Sequence, residues 1–164
     1  MKKPEDIEHI LEVIVDIASE FLQSEIGITV EKTNQKAECS SYFRLKPYTA
    51  LMSISGSFSM NVTFSFDTSL IEQVYKVYCH ELEIEDDERL AHIDETASDM
   101  INIVIGNSTS KLAHDGTVVQ ISVPIVINEA SSISIRDVKF LTTTLFTGFG
   151  DMMITAMPNT CDYR

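Results

Sequence analysis

One stretch limits what this chain can become: Asp86 to Gly116, DDERLAHIDETASDMINIVIGNSTSKLAHDG. No proline interrupts it, and its apolar residues recur at three- and four-residue spacing. The pattern predicts a single long helix. About 28 helical residues would reach about 42 Å at 1.5 Å per residue. Asp86 or Asp87 is placed to cap the start, where the macrodipole favours acidic side chains. Lys111 and His114 fall in the last turns, and Gly116 is placed for a left-handed C-terminal cap.

The predicted helix has two faces. Leu90, Ile93, Ala97, Met100, Ile101, Val104, Ile105 and Leu112 form a core-facing stripe. Glu95, Asp99, Asn102, Gly106, Thr109 and Ala113 follow each other at steps of 4, 3, 4, 3 and 4, so they stand one above the next. Most polar stripes are merely solvated. This one breaks local rules. A mid-helix glycine costs about 1 kcal/mol against alanine, which suggests close packing at Gly106. Asp99 and Asn102 suit helix ends better than interiors. Local rules broken together on one face mark candidate functional positions.

The surrounding chain reads as α+β. Residues 5–24 predict a first helix, with Pro4 at its first position and Ile7, Ile10, Leu11, Ile14, Ile17, Ala18, Phe21 and Leu22 inward. Gly27 ends it, 28–32 form a short strand, and the polar run Thr33 to Ser41 predicts a loop. Residues 49–55 and 58–66 alternate and flank Ser55-Gly56-Ser57, the signature of a hairpin. Asp67 is placed to cap a second helix over 68–79 with Leu70, Ile71, Val74, Val77 and Tyr78 inward. The acidic linker ELEIEDDE follows. After Gly116 come a segment at 117–127 bent by Pro124 and strands at 132–136, 138–147 and 151–157, the last two joined through Gly148-Phe149-Gly150. The order predicts one domain over 1–164, a mainly antiparallel sheet with helices packed on it.

Composition narrows the function. A net charge of −13 repels phosphate backbones and anionic membranes, so nucleic acid is not the expected partner. No apolar run is long enough to cross a membrane. The start MKKPEDIEHI turns acidic too soon for a signal peptide. Cys39, Cys79 and Cys161 are odd in number and widely spaced, which suits free thiols in a reducing cytoplasm. His9, His80, His92 and His114 show no ligand spacing, so no metal site is expected. No Gly-rich phosphate loop or thiol–His pair is evident. Met52, Met60, Met152, Met153 and Met157 fall in strands and read as core filler.

The run SDMINIVIGNSTSKLAHDG resembles the signature helix of the CheC/CheX/FliY family of chemotaxis phosphatases, its CheX branch most. That signature has Glu-x-x-Asn, a short apolar run, Gly and a small polar patch. Asp99 stands at the glutamate, Asn102 at the asparagine and Gly106 at the glycine. The departure is Asp-x-x-Asn, one methylene short. The hairpin and second helix, TALMSISGSFSMNVTFSFDTSLIEQVYKVY, and the segment VVQISVPIVI are similar to the family's as well.

The resemblance implies an exposed signature helix, present once, and a cytoplasmic homodimer. It implies a CheY-like response regulator phosphorylated on aspartate as substrate, with Mg2+ supplied by that regulator and no cofactor held by this chain. Asn102 would orient the attacking water and Asp99 would pair with the regulator's lysine. Glu95 could substitute as that lysine's partner, with a solvated surface glutamate as the alternative, and Gly106 and Thr109 would offer the partner a flat surface. Close helix–helix packing of Gly106 and Thr109 inside the domain stays open beside that role. So does a different class of function, a non-catalytic interaction module that binds a regulator without turnover.

Overall fold

The computed structural model describes residues 7–80, 85–114 and 116–159. Pro4, Asp115, Cys161 and most of the tail PNTCDYR lie outside them, as does half of the acidic linker. The elements run α1 (Ile7–Phe21), β1 (Val30–Arg44), β2 (Tyr48–Gly56), β3 (Met60–Phe66), α2 (Thr68–Tyr78), α3 (Arg89–Leu112), β4 (Val119–Ile121), β5 (Ile125–Asn128), β6 (Ser132–Thr147) and β7 (Gly150–Pro158). A single wide turn, Leu22–Ile26, extends α1 and closes on Gly27, whose φ is 80° and whose N–H bonds the Leu22 carbonyl.

The seven strands form one sheet in the order β1-β6-β7-β3-β2-β4, with β5 also on β2. Every strand pair is antiparallel. This is the predicted α+β architecture. Pro124 does what its missing N–H requires: it separates β4 from β5 on the edge beyond β2.

The sheet must curl. Only Leu45 to Pro47 join β1 to β2, yet β2 lies four strands away from β1. Four Cα steps cover at most about 15 Å, whereas four strand spacings in a flat sheet need about 19 Å. Register shifts at Val30/Lys32 and Ser40/Tyr42 interrupt the β1–β6 pairing, irregularities of the kind that bend a strand. Under that curl Phe43, Phe140 and Met157 form a small buried cluster with Leu45, Ile133 and Ile135 against it. Lys46 fastens the return. Its backbone N–H donates to Ser65 Oγ at 2.6 Å, and its Nζ meets Asp67 Oδ1 at 2.8 Å.

The main core fills the other side of the sheet, where the helices pack. Ile10, Leu11 and Ile14 of α1, Leu70 and Ile71 of α2, and Ile101, Val104 and Ile105 of α3 are fully buried there with Met52, Val62, Phe64 and Ile154 of the sheet. Met60, Met152 and Met157 are also buried, in line with their reading as core filler; Met153 is half-buried.

Several expectations are corrected. Thr33 to Ser41 is not a loop but the middle of β1, with Thr33 to Ser40 paired residue by residue with β6. Its polarity reflects exposure on a sheet edge, where alternation carries no signal. The strands predicted at 132–136 and 138–147 are one strand, β6. Glu88, not Asp86 or Asp87, takes the cap position of α3, and no side chain bonds the free amides there. The helix ends at Ala113 in extended backbone. Gly116 does have a left-handed φ of 83°, but it serves a turn beyond the helix. Asp67 sits at the start of α2 without a side-chain cap bond; its carboxylate turns to Lys46 and to the backbone N–H of Asp151. Leu90 and Tyr78, both read as inward, are 64% and 43% exposed.

Candidate functional site

The long helix is where the chain concentrates polar side chains without internal work to do. α3 buries Ile93, Ala97, Met100, Ile101, Val104, Ile105 and Leu112, seven of the eight residues in the predicted stripe. It also buries Thr96 and Ser108, whose hydroxyls donate to the carbonyls of His92 and Val104 one turn back. Those two bonds let polar residues face a core, a substitution that hydrophobic periodicity does not reveal.

The opposite stripe faces outward. Glu95, Asp99, Asn102 and Ala113 are exposed, and Gly106 and Thr109 are half-exposed. Asp99 and Asn102 are three residues apart, so they rise about 4.5 Å along the axis and their Cβ atoms stand about 5–6 Å apart. Neither has a hydrogen-bond or ion-pair partner among the described residues. A carboxylate and an amide are thus held side by side on a rigid helix and left free for an external group.

Glu95 differs. Its Oε2 lies 3.1 Å from His92 Nδ1, and His92 Nε2 lies 3.9 Å from Glu88 Oε2. A lysine arriving at Glu95 would share it with His92. Asp94, off the stripe, accepts two 2.8 Å bonds from the Asn128 amide and ties α3 to β5.

Gly106 does not answer to packing. A Cβ built there meets nothing within 4 Å, so no neighbouring element requires the glycine. Thr109 and Ser110 both donate to its carbonyl at 3.0 Å. With the intramolecular explanation removed, the small residue leaves a shallow, open spot directly beyond Asn102.

Tyr78, at the end of α2, is the neighbour that the sequence did not offer. Burial first, and then the charge of Asp99, push its phenol above the usual tyrosine range. The apolar pattern of its helix counted it among the inward residues, so it read as core, whereas it is 43% exposed. Among the described residues no three His, Cys, Asp or Glu side chains converge to hold a metal ion.

Fold and site together define a class: an antiparallel curled sheet that displays one carboxylate–amide helix. Residues 48–144 match the model of the family described as chemotaxis phosphatase CheX, and the chain belongs to that family. Solved structures agree in fold. The chemotaxis protein CheX of Desulfovibrio desulfuricans superposes with a TM-score of 0.79 at 16% identity, covering 92% of this chain and 99% of that one. CheX of Vibrio vulnificus gives 0.69 at 13% identity over 93% and 98%. The Borrelia burgdorferi CheX–CheY–BeF3–Mg2+ complex gives 0.66 at 20% identity over 91% and 96%. No curated protein matches the sequence. No described helix is long and apolar enough to cross a membrane.

Proposed function

We propose that this protein hydrolyses the aspartyl-phosphate of a CheY-like response regulator, with Asp99 and Asn102 as its working pair. One observation carries the reading: both side chains are exposed, unpartnered and adjacent on α3, inside the segment matched by the family model. That a Borrelia relative of the same fold is seen with CheY supports a regulator as the partner.

The chemistry asks little of this chain. Phosphoryl transfer depends on positioning and charge balance more than on covalent help. The Asn102 amide has an acceptor and two donors, so it can hold a water in line with the phosphorus. That water attacks, the bond from phosphorus to the regulator's aspartyl oxygen breaks, and inorganic phosphate leaves. Asp99 pairs with the regulator's lysine and fixes the docking. The Mg2+ that balances the phosphoryl charge belongs to the regulator, and this chain contributes no cofactor. Gly106 and Thr109 let the partner approach the helix closely, and Glu95 lies one turn from the lysine. The setting is cytoplasmic, and a homodimer is the assembly we expect.

The test is the decay of a phosphorylated regulator in Mg2+ with and without the protein. The wild type should accelerate it, and Asn102→Ala should remove about a hundredfold or more of that acceleration, as loss of one aimed donor does elsewhere. An Asn102→Ala protein as fast as wild type would refute the assignment.

A further inference from the structure

The regulator must extend over one flank of α3 if Asp99 and Asn102 meet its phosphorylation site. The two flanks are not alike. On the β5 side Asp94 is already engaged within the domain by Asn128. On the α1 side an open groove of about 630 Å³ runs between the last turns of α1 and the C-terminal half of α3. Phe21, Tyr78 and Ile103 give it apolar walls, Glu20 and Glu25 stand on its α1 side, and Lys111 lies on α3. Phe21 is buried, Ile103 half-buried, and Tyr78 exposes 43% of its surface without a hydrogen-bond partner among the described residues.

We propose that this groove is the second docking contact for the regulator, taking an apolar side chain against Tyr78 and a neighbouring basic one against Glu20 and Glu25. The inference rests on the function proposed above and names the surface that selects the partner. Three observations support it. The groove adjoins the outward stripe, since Ile103 of its lining stands one turn beyond Asp99 at i and i+4 on the same helix. Tyr78 and Glu25 line the groove together, and Asp99 acts with burial on the Tyr78 phenol, so the groove and the working pair share one electrostatic neighbourhood. Two glutamates against one lysine leave the rim acidic, which suits a basic patch on the partner, and the whole chain carries a charge of −13. Tyrosines in such recesses are recurrent anchors of protein interfaces, whereas rim charges act chiefly through encounter rate and salt.

Steady-state dephosphorylation against regulator concentration tests this, with folding checked by thermal unfolding. Tyr78→Ala should raise the half-saturating regulator concentration about fivefold or more with the maximal rate unchanged, and Tyr78→Phe should restore it. Glu20→Lys with Glu25→Lys, both exposed and remote from the core, should raise half-saturation more at low than at high salt. Half-saturation unmoved in both variants, or a fall in maximal rate alone for Tyr78→Ala, would overturn the groove while leaving the phosphatase standing. A wild-type protein that accelerates no regulator would remove the proposed function and the groove with it.

Discussion

Replacing Asp99 with glutamate should raise turnover. The side chain at 99 is exposed and has no partner to lose, so the longer glutamate can extend without displacing anything. It carries the carboxylate about 1.5 Å further from the backbone, one carbon–carbon bond. A 1 Å misplacement of a positioned group can cost about a hundredfold in rate, which sets the upper bound on the gain. We expect about tenfold, because a docked regulator can absorb part of the present shortfall by a small shift. The fold should not suffer, since glutamate is the better helix former by a few tenths of a kcal/mol. The assay is regulator dephosphorylation under saturating conditions, with the lysine contact checked by charge: Asp99→Asn should lose what Asp99→Glu gains. A glutamate variant that folds as well as the wild type yet turns over more slowly would refute the placement of Asp99 as the lysine's partner.

Two further substitutions test the frame around the site. Gly106→Ala should stabilise the fold by about 1 kcal/mol, since the added Cβ meets nothing within 4 Å. In a chain of this size that is a rise of about 2–4 °C in Tm, and the same variant should weaken regulator binding if the partner approaches there. A lower Tm would show packing at Gly106 that the structure does not. For the Lys46–Asp67 contact the variable is pH. Burial pushes the Asp67 carboxyl up, but the hydrogen bond from Lys46 and that from the Asp151 backbone N–H outweigh it and hold the group below its usual value. A depressed folded-state pKa gives stability that is present above the unfolded value near 3.8 and is lost as pH falls through the folded value. Asp67→Asn should therefore flatten that part of the acid limb in urea titrations, by a modest amount because the pair is partly exposed; an unchanged limb would contradict the contact.

The helix that carries the site was the most readable part of the chain, and for a physical reason. A long amphipathic helix writes its burial pattern every three or four residues, and seven of eight positions in the α3 stripe are buried as the spacing requires. Strands exposed on both faces leave no such record. That is why Thr33 to Ser41 reads as a loop although β6 pairs with it from Thr33 to Ser40. The curl of the sheet is equally invisible in sequence, because it follows from strand order and the three-residue link Leu45 to Pro47 rather than from any local preference. At the site itself, Asp99 and Asn102 stood out as residues misplaced in a helix interior. Tyr78 did not, since an aromatic at the end of an apolar repeat looks like core until the neighbouring helices are in place. Gly106 was legible as an anomaly, but only the structure shows open space over it.

The central claim is catalytic turnover at α3. The most direct measurement is phosphate released per chain when a phosphorylated CheY-like regulator is present in large excess with Mg2+. Many phosphates per chain are expected above the regulator's own decay, with Asn102→Ala reduced to that background. A protein that binds the phosphorylated regulator yet leaves its phosphate lifetime unchanged would contradict it, and would make the chain an interaction module that keeps the docking helix without the reaction.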